Sequence, residues 1–122
     1  MARPTKLTTQ VQRRLVGLTR AGIFIKESAP FAGVTRPTIY SWMRRGEAEI
    51  ARVDAGESPD EAEQLYAEFA RSMNQAKAYA NVMDMMVIRR AAATDPKWAL
   101  WSLKLRHPGW FRHGVSLHDT GV

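Results

Sequence analysis

The run Thr35-Arg36-Pro37-Thr38-Ile39-Tyr40-Ser41-Trp42 sets hydroxyl groups beside a guanidinium. Arg36 brings a planar fork that matches paired acceptors, while Thr38, Tyr40 and Ser41 bring groups that both donate and accept. That combination suits the reading of base edges in a nucleic-acid groove. Arg44 and Arg45, one helical turn later, suit phosphate contact, because charge without fixed bidentate geometry positions a protein without specifying sequence. Upstream, Arg3-Pro4-Thr5-Lys6 is a short basic arm, and Arg3 and Lys6 are candidates for minor-groove contact.

Other chemistries lack candidates. The chain has no cysteine, which excludes disulfides, thiolate metal sites and a cysteine nucleophile. It carries no G-x-x-x-x-G-K-[ST] loop, no G-x-S-x-G elbow and no acidic dyad, so neither nucleotide hydrolysis nor acyl transfer has residues to perform it. The acids between 47 and 63 read as a solvated face. His107, His113 and His118 match no metal-ligand spacing. The expectation is a non-enzymatic protein with neither metal nor cofactor.

The candidate readers need a helix held rigidly against a scaffold. Thr35 stands as an N-cap with Pro37 just inside the helix, and Ile39, Trp42 and Met43 form an inward stripe. Before it, a short segment from about Ile25 to Ala32 ends at Gly33, with the small Ala29 where two helices would cross. Pro30 and Ser28 weaken that segment as a helix. An earlier helix starts at Thr8 or Thr9, carries Val11, Leu15 and Leu18 on one face, and ends at Ala21-Gly22. The spacing is that of a helix-turn-helix; an ordinary three-helix bundle with a basic surface is the plainer alternative. Gly46 either ends the third helix or is passed through on the way to Val53.

Charge divides along the chain. Residues 1 to 46 hold nine Lys/Arg and one acid, Glu27, a net +8, whereas residues 47 to 70 hold one Arg and eight acids, a net −7. A basic head beside an acidic belt is the electrostatic pattern of a polyanion-binding surface with a repelling neighbour, although alternating surfaces would look the same.

Asp54-Ala55-Gly56-Glu57 reads as a linker. Ser58-Pro59-Asp60-Glu61 then combines an N-cap, a first-turn proline and a capping-box glutamate. The following helix meets no Gly or Pro until Pro96. Tyr66, Phe69, Met73, Ala76, Ala80, Met83 and Val87 step along it by alternating threes and fours, a heptad seam. Asp95 and Pro96 open a last helix in which Trp98 and Trp101 join the apolar surface. A hairpin of one long and one shorter helix leaves much of that stripe uncovered, so these residues are expected to drive self-association. Pairing of the long helix with the Trp-rich last helix is the alternative.

The domain reading is therefore 1–53 for an arm and helix-turn-helix, 54–58 for a linker, 59–108 for an oligomerising helical hairpin and 109–122 for a tail. The fold class is all-α. No apolar run is long enough to span a bilayer, and the charged N-terminal residues are followed by no signal-like core, so neither export nor a membrane partner is expected.

With these features together the chain resembles the small terminase subunit of tailed bacteriophages. The resemblance rests on Arg3-Pro4-Thr5-Lys6-Leu7-Thr8, on Ala32 to Trp42 followed by Arg45-Gly46-Glu47, and on Lys97-Trp98-Ala99-Leu100-Trp101-Ser102-Leu103 leading to His107-Pro108-Gly109-Trp110. It implies a non-catalytic, ring-forming packaging factor of about 8–11 subunits in the host bacterial cytoplasm. Such a factor recognises a packaging site on double-stranded phage DNA and delivers the DNA to the large terminase subunit, which holds the ATPase and nuclease. Trp110, Phe111 and Arg112 in the tail would be the candidate contact for that subunit, or would fold back on the last helix. A dimeric helix-turn-helix regulator of phage or prophage origin, or an adaptor whose basic region binds an acidic partner, would share many of these features.

Overall fold

Helix α1 (Thr9–Arg20) starts where Thr8 adopts an extended backbone and its hydroxyl accepts from the Val11 amide. This satisfies one of the orphan donors of the first turn. Helix α2 (Ile25–Ala32) stops at Gly33, whose φ of 79° is left-handed. There the Val34 amide donates to Ala29 O and the Gly33 amide to Pro30 O, so two terminal carbonyls are satisfied and the chain turns sharply. Helix α3 (Arg36–Asp54) follows after the three residues Gly33, Val34 and Thr35 and passes through Gly46. Helices α4 (Gln64–Ala92) and α5 (Pro96–Arg106) complete the regular structure, with single 3₁₀ turns at Glu61–Glu63 and Pro108–Phe111. These features come from a computed structural model that describes residues 5–112, and every regular element among them is helical. Among the described residues no helix is long and apolar enough to cross a membrane.

The chain divides into two compact units, one reaching Asn81 and the other beginning at Val82. The first has a core of Leu7, Leu15, Ala29, Ile39, Trp42, Met43, Tyr66, Phe69 and Met73. Each large side chain in such a core is stabilised by roughly 1.5–3 kcal/mol on leaving water. Trp42 meets Phe69 edge to face at 5.9 Å between centroids, an arrangement that matches ring edge to ring face. Thr19 is buried and its hydroxyl donates to the Met73 sulfur at 3.6 Å. Ser28, at 1 % exposure, is buried with no partner for its hydroxyl among the described residues.

This core corrects the expected division of the chain. The head does not close at residue 53: the leading part of α4 supplies Tyr66, Ala67, Phe69, Ala70 and Met73 to it. Tyr66, Phe69, Met73, Ala76 and Ala80 are all buried within a single chain, so they are not surface available for joining subunits. The reason is that a heptad stripe specifies an apolar face and not the partner that covers it. Of the seam, Met83 and Val87 stay exposed.

The expected linker is also tied down. Glu49, at 2 % exposure, accepts from the Asp60 amide at 2.7 Å and from Gln64 Nε2 at 3.0 Å, and pairs with Arg52. Arg52 in turn reaches Glu57 at 2.9 Å. The helical chain then begins from Asp60, whose carboxylate accepts from the Ala62 amide, in place of Ser58. One buried carboxylate with several donors fixes the turn, and the cap moves to the next acid in line.

In the second unit, Asp95 caps α5 by accepting from the Lys97 amide at 3.1 Å, with Pro96 at the helix start. Trp98 and Trp101 meet edge to face at 6.3 Å. Between Val82 and Arg112 no residue is fully buried.

Candidate nucleic-acid interface

The face α3 offers to solvent follows from the face it buries. Ile39, Trp42, Met43 and Gly46 are inward, so at 100° per residue the opposite side carries Pro37, Ser41 and Arg44. All three are exposed. Arg36 and Tyr40 lie on one flank of this face and are exposed as well, Tyr40 at 45 %. Arg36 and Arg44 take part in no ion pair among the described residues. Their guanidiniums keep all five donors for a ligand.

Thr38 differs from its neighbours. It is half-buried on the other flank, and its hydroxyl shares a hydrogen bond of 2.9 Å with that of Thr35. Thr35 has the extended backbone of an N-cap but accepts no backbone amide through its side chain. The two threonines thus hold each other at the start of α3, which makes Thr38 a residue that shapes the helix start more than one that faces outward.

Arg45 is a second departure. Its Nε and Nη2 donate to the two oxygens of Glu63 at 2.6 and 2.7 Å, and its guanidinium lies 4.0 Å from the Tyr66 ring centroid. The hydrogen bond and charge of Arg45 hold the Glu63 carboxyl below its usual range. A fork-to-fork pair against an aromatic face neutralises the charge. Arg45 is therefore part of the junction between α3 and the turn before α4, and of the two arginines only Arg44 is without an ion pair among the described residues. Adjacent residues on a helix point about 100° apart, which separates the two arginines completely.

Of the basic arm, Lys6 is exposed and Arg3 lies outside the described residues. The stretch behind Lys6 is anchored: Leu7 is buried at 1 %, and the Tyr66 hydroxyl donates to Thr5 Oγ1 at 3.0 Å. Leu7 and Tyr66 are positioning residues; sequence reasoning gave Leu7 no role and placed Tyr66 on the subunit seam. Leu7 has no periodic partner in the arm to reveal it, and Tyr66 falls on a stripe that also fits a subunit seam.

No protein-family model matches this chain, and no curated protein or solved structure matches it either.

The aromatic tail residues belong to the second unit. The Trp110 ring stacks on His107 at 4.0 Å with planes 7° apart, and Lys104 Nζ lies 5.8 Å from the Phe111 ring centroid. Trp110 and Arg112 are exposed and Phe111 is half-buried. His113 and His118 lie outside the described residues.

Proposed function

We propose that this chain is a non-catalytic DNA-binding subunit that self-associates, and that it serves viral genome packaging as a small terminase subunit. The observation that carries the DNA-binding part is the pair α2–α3. A left-handed Gly33 sets the turn, Ala29, Ile39 and Trp42 are buried, and Arg36, Ser41 and Arg44 are left exposed on the N-terminal half of the second helix. That half is the part a helix-turn-helix inserts into the major groove. The excess of cations before residue 47 adds a favourable, salt-dependent term for any duplex.

Self-association is supported by the second unit. A helical pair that buries none of its own side chains fully, and that exposes Met83, Met86, Val87, Trp98 and Trp101, carries an apolar surface too extensive for a solitary soluble protein. Linking several modest DNA contacts in one assembly raises their effective concentration on a single duplex. The large terminase subunit and a ring remain part of this proposal through the resemblance of the sequence motifs.

Native mass spectrometry of the purified chain, with and without phage DNA carrying a packaging site, tests the reading. A closed oligomer of about eight or more copies that retains the duplex is expected. A clean dimer bound to a two-fold operator would replace packaging with transcriptional regulation. That second reading is favoured by one observation: with Tyr66, Phe69, Met73, Ala76 and Ala80 committed to the intramolecular core, the uncovered part of the heptad seam is reduced to Met83 and Val87.

A further inference from the structure

A groove of about 410 Å³ opens on the first unit where the turn between α1 and α2 meets α3 and α4. Ile25, Lys26, Arg36, Tyr40, Lys77 and Asn81 are among its lining residues, and among the described residues no carboxylate lines it. Three cations contributed by three helices thus converge on one concavity. Lys26, Arg36 and Lys77 are all exposed, and none of them is ion-paired among the described residues. Cations that gather without counter-charges repel one another, and an anion with several charges relieves that repulsion.

Resting on the DNA-binding reading above, we infer that this groove holds a strand of the duplex backbone, with Lys26 and Lys77 contacting phosphates next to the base-reading face of α3. Continuity with that face carries the inference. Arg36 and Tyr40 line the groove and also flank the outward side of α3, so a duplex seated on α3 runs its backbone past them. The exposed apolar surface of Phe24 and Ile23 at the groove edge fits the sugar faces between phosphates. Asn81 adds an amide that donates to a phosphate oxygen. The contribution of α4 makes it part of the DNA-binding surface as well as of the core.

The test is a salt titration of binding to a fluorescently labelled duplex of mixed sequence, read by anisotropy. Lys26→Ala and Lys77→Ala are each expected to weaken binding by about 3- to 10-fold at moderate salt and to reduce the slope of log K against log salt by about one. Arg13→Ala is the control: it makes the same change in net charge but lies in a separate groove beside Glu68, and it is expected to leave the slope unchanged. Circular dichroism checks that each variant folds. An equal loss in the Arg13 variant would mean that long-range charge alone is at work, and would overturn the groove assignment. So would unchanged duplex binding by the lysine variants, whether or not oligoglutamate binds the groove. If Arg36→Ala and Arg44→Ala still weaken binding in that case, the helix-turn-helix reading stands without the groove; if the unaltered chain binds no duplex, both fall together.

Discussion

Gly46 on α3 packs directly against the backbone of Tyr66 on α4. A Cβ built on Gly46 would stand 2.6 Å from the Tyr66 carbonyl carbon and 2.8 Å from the Ala70 Cβ. Neither neighbour is the end of a flexible chain, so the two helices would have to separate. Gly46→Ala is therefore expected to destabilise the protein by about 1–3 kcal/mol, although alanine favours an isolated helix. Thermal unfolding followed by circular dichroism measures this, and an unchanged or raised midpoint would show that the helices do not cross at that glycine.

Arg45 and Arg44 should part company when each is replaced. Arg45→Ala removes the fork on Glu63 and the stacking on Tyr66, so a lower unfolding midpoint with little change in DNA affinity is expected. Arg44→Ala should do the opposite, weakening duplexes of all sequences to a similar degree. Arg36→Ala should in addition alter which sequences are preferred. Parallel binding and melting curves for the three variants decide the matter, and a large loss of DNA affinity in the Arg45 variant would return that residue to the interface.

Acid should loosen the junction between α3 and α4. The Asp60 amide, and then Arg52, hold the Glu49 carboxyl below its ordinary range, and Arg45 does the same for Glu63. A carboxyl depressed in the folded state gives stability that is complete above its unfolded value, about 4.3, and that is lost as pH falls through the folded value. The unfolding midpoint should therefore be flat near neutrality and drop below about pH 4. Glu49→Gln should lower the midpoint at neutral pH and flatten the acid limb. An acid limb that keeps its full slope in the variant would assign the pH dependence to other groups.

The former seam should separate into two behaviours. Phe69 has no exposure, and Phe69→Ala is expected to cost about 3–5 kcal/mol of stability. Met86→Glu and Val87→Glu lie on exposed surface and should reduce the assembled mass while helicity and the unfolding of the first unit persist. Sedimentation velocity and circular dichroism on the same samples check both. Intact assembly in both glutamate variants would place the subunit contact elsewhere.

Local chemistry made much of the fold legible. Thr8, Ala21-Gly22, Gly33, Asp95 and Pro96 mark helix ends by capping or by backbone freedom, and these effects act over a few residues that are adjacent in the chain. The all-helical class and the exposure of Arg36, Tyr40, Ser41 and Arg44 follow from the same short-range periodicity. The identity of each apolar face's partner did not follow, because burial is non-directional and any complementary surface would satisfy Tyr66, Phe69 and Met73. Packing assigned those residues to the head, passed α3 straight through Gly46, and paired the exposed Arg45 with Glu63. It also brought Lys26 and Lys77, far apart in sequence, to one groove. Each of these outcomes depends on which helices lie side by side, a long-range relation that periodicity within one helix cannot encode.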